Sequence, residues 1–235
     1  MATTPHHSEF DAFARNYDAG MDDPAKRIVG GTADTFLEHK AAWLQRNVDL
    51  TGRLLDFGCG TGGFLRALQR QRPQLDLVGC DVAAGMIEEA ERQWGPEPRP
   101  PLHVVPPGPL PFADATFDTV TAVCVLHHVM PAARVEVTRE LLRVVRPGGI
   151  VAIFEHNPLS PVTRWFVRRA PIDANAVLLS ARECTTLLAS AGAIEPRTDY
   201  ILFFPPRLRP LWRAEHLLAR VPLGGQYATV GTRAP

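Results

Sequence analysis

The sequence predicts an α/β fold built on a doubly wound, mostly parallel sheet, and three observations carry that reading. Short apolar runs and helix-patterned runs alternate five times between Arg53 and Phe154, which calls for parallel strands with helices on both faces. The segment RLLDFGCGTGGF runs from a strand through a glycine turn into a helix, and Phe117–Cys124 has the composition of a buried strand. With 235 residues, 46% of them hydrophobic and 21% charged, the chain suits one domain with a substantial core.

The elements follow in order. Ser8–Asp49 reads as mostly helical, with a turn at Asp22–Pro24 and a break at Gly30–Gly31. Within it TFLEHKAAWLQRNV sets Phe36, Leu37, Trp43, Leu44 and Val48 on one face. Arg53–Phe57 is a strand, and Gly62–Arg72 a helix stopped by Pro73. Leu75–Cys80 is the second strand, and Ala83–Trp94 the second crossover helix. The run LHVV lies between prolines and belongs at a sheet edge, because proline cannot donate to an inner ladder. Phe117–Cys124, a helix over Ala132–Val145, and IVAIF after RPGG complete the alternation. An insertion after the fifth strand carries a helix at Val162–Arg169. Ser180 and Glu183 form a capping box for the next helix, and ILFF and QYATVG close the sheet around a helix at Leu208–Leu218.

Formal net charge is zero, so no global field recruits nucleic acid or an anionic membrane. No run is long and apolar enough to span a bilayer, and the N-terminus lacks a secretory pattern. Cys59, Cys80, Cys124 and Cys184 show neither CxxC pairing nor metal spacing. A cytoplasmic protein is expected, with no metal assigned.

The glycine turn holds the main chemical question. Gly58, Gly60 and Gly63 fit G-x-G-x-x-G, a pattern open to dinucleotides. Asp56 opposes that reading, because a carboxylate ahead of the turn repels a pyrophosphate and suits a cationic ligand instead. S-adenosylmethionine (SAM), with its sulfonium and ammonium, is such a ligand. DFGCGTG, VGCD, LPFADATFD, VLHHV and RPGG occur in one order, after the entry segment FDAFARNYD. Together they resemble class I SAM-dependent methyltransferases, most closely the ubiquinone/menaquinone-biosynthesis type and its small-molecule relatives, over roughly residues 10–156.

The resemblance implies a Rossmann-like seven-stranded sheet whose last strand is antiparallel. It divides the chain into a helical segment at 1–50, a SAM-binding core at 51–156, an acceptor-side insertion at 157–193 and closing strands at 194–235. It places Asp56, Gly58, Cys59 and Gly60 along the methionine end of SAM and gives Asp81 both ribose hydroxyls. Val82 and Met86 are expected against adenine, Tyr17 near the carboxylate, and Val123, Cys124 and Leu126 at the sulfonium end. Pro106 stands where relatives often carry an acidic residue for the adenine amine, so adenine recognition must rest on other groups.

On the acceptor side, His127 and His128 follow the fourth strand and Glu155 and His156 end the fifth, at the carboxyl edge where such sheets bind ligands. His128, His127 and His156 are base candidates, with Glu155 as an orienter. Arg164, Arg168 and Arg169 suit either an anionic substrate or a solvated helix face. Trp165, Phe166, Phe203, Phe204 and Trp212 suit an apolar pocket or the core. The expected activity is methyl transfer to O, N or C of a small molecule. Two alternatives remain open at this level: a non-catalytic SAM-binding regulator, and an NAD(P)-linked oxidoreductase with no use for Asp56. Acceptor identity and oligomeric state leave no mark in the sequence.

Overall fold

The structure, a computed structural model, describes residues 9–16, 31–95 and 98–235. Seven strands form one sheet: β1 (Arg53–Phe57), β2 (Asp76–Asp81), β3 (Leu102–Val104), β4 (Phe117–Val123), β5 (Val145–His156), β6 (Ala193–Ile201) and β7 (Gln226–Arg233). Their order is β3-β2-β1-β4-β5-β7-β6. The first five are parallel, and β7 runs antiparallel to both β5 and β6. This is the expected doubly wound sheet. Its direction of winding reverses between β1 and β4, the place where open α/β sheets leave a crevice beyond their carboxyl ends.

Among the described residues six α-helices accompany the strands: α1 (Ala33–Asn47), α2 (Gly63–Gln71), α3 (Ala84–Trp94), α4 (Arg134–Val144), α5 (Pro161–Val167) and α6 (Ala181–Ala191). Ala41, Trp43 and Leu44 of α1 join Phe64, Leu65 and Leu68 of α2 over one sheet face. Leu141 and Leu142 of α4 and Leu187 and Leu188 of α6 cover the other. The Ser180–Glu183 capping box starts α6, with the Ser180 side chain accepting from Glu183 N and Glu183 accepting from Ser180 N. The loop carrying LPFADA is fastened to α4. Arg143 donates to the carbonyls of Leu110 and Phe112 at 3.0 and 2.9 Å, and Glu140 accepts from Leu110 N at 2.9 Å.

Three elements differ from their sequence expectations. β5 begins at Val145 and passes through RPGG, with a register shift against β4 between Phe117 and Thr119. Gly149 makes this possible, because a Cβ there would lie 2.6 Å from the Asp118 carbonyl oxygen. The closing strand is Ala193–Ile201, not ILFF. Leu202 turns to φ 61°, out of the extended range. The backbone N–H groups of Leu202, Phe203 and Phe204 then bond the buried carboxylate of Glu215 at 3.2, 2.8 and 3.1 Å. A side chain thus replaces the ladder partner those groups would otherwise have. Glu215 lies on a 3-10 helix at Pro206–Leu218, where an α-helix at Leu208–Leu218 was expected; Pro210 sits inside it and it kinks at Leu208.

Candidate active site

A cavity of about 510 Å³ opens beyond the carboxyl ends of β1, β4 and β5. Its floor is the glycine turn. Gly58 bonds the Cys80 carbonyl through its N–H at 2.8 Å with φ 70°, and a Cβ there would strike Val125. Gly60, at φ 52°, lines the cavity with open space where a Cβ would stand. Backbone can therefore approach a ligand closely at that point, which is what glycine supplies.

Asp56, next to the last residue of β1, is buried and lines the same space. Its Oδ1 accepts from Thr121 Oγ1 at 2.8 Å. Burial pushes its carboxyl up to about 7, with the Thr121 bond and the Lys40 charge holding back a larger rise. A carboxylate raised this way gains from a cation placed beside it. Asp81, at the end of β2, is fixed by two backbone donors: Gly60 N to Oδ2 at 2.8 Å and Ala83 N to Oδ1 at 2.9 Å. Each oxygen keeps a second lone pair for another donor. Burial raises this carboxyl as well, against those backbone bonds.

Beyond β4 the groups are more varied. Cys124 has φ 59°, a conformation rare outside glycine, and its Sγ lies 3.4 Å from Lys40 Nζ and 3.5 Å from Gln226 Nε2. Burial opposes ionisation of this thiol, yet the Lys40 charge and His156 outweigh it and bring the group down to about 6. Cys59, Cys80 and Cys184 behave oppositely, each raised by burial. Gln226 Nε2 also meets His156 Nδ1 at 3.1 Å, while its buried Oε1 has no partner.

His127 and Glu155 form the buried centre of this wall. Glu155 Oε1 accepts from Val125 N and Leu126 N at 3.1 and 2.7 Å, and Oε2 lies 2.5 Å from His127 Nδ1. Burial works against charge on both, but their mutual attraction outweighs it: Glu155 is lowered and His127 raised to about 10. His128 sits beside them, pressed down to about 4 by burial and then by the His127 charge. Asp173, from the 3-10 turn Pro171–Asp173, reaches both imidazoles.

Of the residues singled out in the sequence, Asp56, Gly58, Cys59, Gly60, Val123, Cys124, His127, His128 and His156 line this one cavity. Asp81 stands one residue behind it, through Gly60. Glu155 and Leu126 are buried behind the wall and act through what they hold. Met86 does not face the cavity: it is 3% exposed and packs with Ala14 and Ala83 under Phe10, Phe13 and Ile172. Val82 likewise stays outside the lining, and Tyr17 lies outside the described residues. Phe166, Phe203 and Phe204 line the cavity, whereas Trp212 is buried elsewhere and Trp165 is half exposed, with Arg169 stacked on it at 4.2 Å. None of Arg164, Arg168 and Arg169 belongs to the lining. Asn157, beside His156, is a structural residue: its Nδ2 bonds the Gly224 carbonyl and its Oδ1 accepts from Leu159 N.

Lys40, Asp173 and Gln226 complete the wall without having been anticipated, as does Thr121 behind it, through its bond to Asp56. For Lys40 a signal existed, because it falls on the same helical stripe as Phe36, Leu37 and Trp43. Asp173 and Gln226 sit in no motif.

Residues 55–153, the strands and turns that build this floor, match the family model described as a methyltransferase domain. Over this core the chain is similar to SAM-dependent methyltransferases. The demethylmenaquinone methyltransferase of Beutenbergia cavernae is 37% identical over 153 residues, covering 61% of this chain and 60% of that protein. A ubiquinone/menaquinone biosynthesis C-methyltransferase of Geobacter sulfurreducens is 34% identical over 158 residues, covering 66% and 59%. The chain thus spans about three fifths of the length of these curated relatives. A SAM-dependent methyltransferase structure from Thermotoga maritima, described as a possible histamine N-methyltransferase, shares the fold at a TM-score of 0.69 and 18% identity, covering 95% of this chain and 98% of that one. The matched stretch holds the glycine floor and the two aspartates; β6, β7 and the insertion, which finish the cavity, lie beyond it.

Proposed function

We propose that this protein transfers a methyl group from SAM to an apolar, ring-bearing small molecule of the general kind that quinone-biosynthesis methyltransferases act on. The observation that carries the reading is the mixed lining of one cavity. It combines a buried carboxylate, Asp56, and the open face of Gly60, which we assign as the donor end, with Phe166, Leu202, Phe203, Phe204, Pro205 and Pro206, which we assign as an apolar acceptor end. A volume of about 510 Å³ falls within the range of small-molecule sites.

The residues present fit the donor. Asp56 would face its cationic end, the turn at Gly58–Gly60 would allow close backbone approach, and Asp81 would take the ribose hydroxyls on its free lone pairs. When bound, SAM supplies a methyl group already activated by the sulfonium. The protein's remaining task is alignment in a water-poor space, which can account for much of a displacement reaction's barrier. The Phe203–Phe204 turn excludes water from the acceptor end, and Gln226 Oε1, buried and unpartnered, offers an acceptor for a substrate N–H or O–H. His128 and His156 face the acceptor from the cavity wall, and Glu155 holds His127 in place. The cytoplasm remains our reading of location, supported by four free cysteines; among the described residues no helix is long and apolar enough to cross a membrane.

Calorimetry with SAM and with NADH, followed by labelled-methyl transfer onto a panel of quinols and phenols, tests the proposal. SAM should bind and NADH should not, and Asp81→Ala should weaken SAM by about 100-fold, or about 2.7 kcal/mol. Equal SAM affinity in Asp81→Ala would remove the donor assignment, and SAM binding without any labelled product would favour a regulator.

A further inference from the structure

We propose that His127, His128 and Asp173 form a binding site for a divalent first-row transition-metal ion in the acceptor wall of this cavity. His127 Nε2 lies 3.5 Å and His128 Nε2 3.4 Å from the same Asp173 oxygen, Oδ1. The three donor atoms all fall within 4.8 Å of one another. Those separations are too long for good N–H···O hydrogen bonds, which centre near 2.9–3.0 Å. The two His–Asp separations equal the edge between two ligands on one ion: bonds of about 2.0–2.2 Å meeting near the tetrahedral angle leave their donor atoms about 3.4 Å apart. The two imidazole nitrogens, within 4.8 Å of each other, would close toward the same edge on binding. The contrast within one ring is informative, since His127 Nδ1 makes a tight 2.5 Å contact on its other side.

That contact is itself the arrangement metal-ligating histidines use. A ligating imidazole usually gives its second N–H to a carboxylate, which sets its tautomer and aims the other nitrogen at the metal. Glu155 does this for His127, and Glu155 is in turn fixed by the N–H groups of Val125 and Leu126. The His128 ring is held by its neighbours, tilted against His127 at 4.1 Å and edge-on to Phe10 at 5.0 Å.

Two imidazoles and one carboxylate select zinc, iron(II) and similar ions over magnesium or calcium. Three protein ligands leave a coordination position free, the pattern of catalytic rather than structural sites. All three ligating residues line the cavity, so the free position faces the substrate space. If the methyl-transfer reading holds, the ion would bind and polarise an oxygen of the acceptor; the site itself does not depend on that reading.

Full-length protein stripped with a chelator and dialysed against zinc should retain one ion per chain by elemental analysis. Cobalt(II) should give visible absorption of four- or five-coordinate type. His128→Ala and Asp173→Ala, both at the cavity surface, should each weaken zinc by about 100-fold, and Glu155→Gln by about 10–100-fold. SAM binding by calorimetry, measured on the same samples, reports folding and the donor site independently. Substoichiometric zinc in protein that binds SAM would overturn the metal site and leave the donor assignment standing, as would zinc affinity unchanged in both surface variants. Stoichiometric zinc with no SAM binding would do the reverse.

Discussion

The two ends of the cavity are built by different means. The donor end is made from one continuous stretch, β1 to the start of α3, and its key contacts are backbone ones: Gly58 N to Cys80 O, Gly60 N to Asp81, Ala83 N to Asp81. The acceptor end draws Lys40 from α1, Asp173 from the insertion, Phe203 and Phe204 from a turn and Gln226 from β7. A site made of local backbone geometry is tied to a short motif. One assembled from distant side chains depends on the register of the whole sheet. On the proposed reading, the donor site comes with the core, while the acceptor site adds side chains from segments outside it.

The sharpest way to break this comparison is to loosen one end and watch the other. Glu215 holds the Leu202–Phe204 turn through three backbone N–H groups and meets His39 Nε2 at 2.9 Å. Burial works against its charge, but the His39 contact and the backbone donors prevail and hold the carboxyl below its ordinary 4.5. Bonds to a charged acceptor are worth about 1.5–3 kcal/mol each, and glutamine keeps one acceptor oxygen. Glu215→Gln should therefore cost about 2–3 kcal/mol and lower Tm by about 5–10 °C, with SAM affinity changed less than about twofold. Because the folded value lies below the unfolded one, this stability is present above the ordinary glutamate range and is lost as pH falls through the folded value. The gap between wild type and variant should accordingly close in acid. A large loss of SAM affinity in the variant would show that the two ends are not separable.

The same division explains what the sequence made legible. The strands of the matched core and their helices were readable because each carries its own signal: an apolar run, a glycine turn, a proline stop, a capping box. β6 was misplaced because Glu195 at φ 51° and Pro196 break its pattern, while ILFF looks like a strand but has its N–H groups claimed by a carboxylate thirteen or fewer residues ahead. Asp56, Gly58, Gly60 and the His127–His128 pair, which line the cavity, stand in motifs. Asp173 and Gln226 were not, since a lone Asp in PID and a Gln at a strand start carry no local information. Met86 shows the converse: a motif position whose side chain is taken up by Ala14 and its neighbours, contacts that only tertiary structure reveals.

A second effect, of intermediate size, isolates the donor end by pH. Burial raises Asp56 to about 7, so the group is neutral below that value and ionised above it. A cationic donor favours the ionised form, and its affinity should rise as pH increases through about 7 and then level off. Between pH 6 and 8 the gain should approach about tenfold, or about 1.4 kcal/mol. Asp56→Asn should bind SAM more weakly and with a flat profile over the same range. A profile that survives unchanged in Asp56→Asn would assign the titration to another group and remove Asp56 from the donor end.

The smallest expected effect concerns α5, the helix that borders the acceptor end. Phe166 on this helix lines the cavity, whereas Arg164, Arg168 and Arg169 do not. Arg169 instead stacks on Trp165 at 4.2 Å, a contact of roughly 0.5–1 kcal/mol at an exposed site. If the acceptor is recognised through apolar surface, replacing all three arginines by alanine should change the acceptor KM by less than about twofold, while Phe166→Ala should raise it several-fold. The cost of the triple change to stability should stay near the value of that one stacking contact. A KM that rises tenfold or more in the arginine variant, with kcat intact, would mean that an anionic acceptor reaches past the cavity mouth to the outer face of α5. The apolar wall would then be a passage rather than the recognition surface.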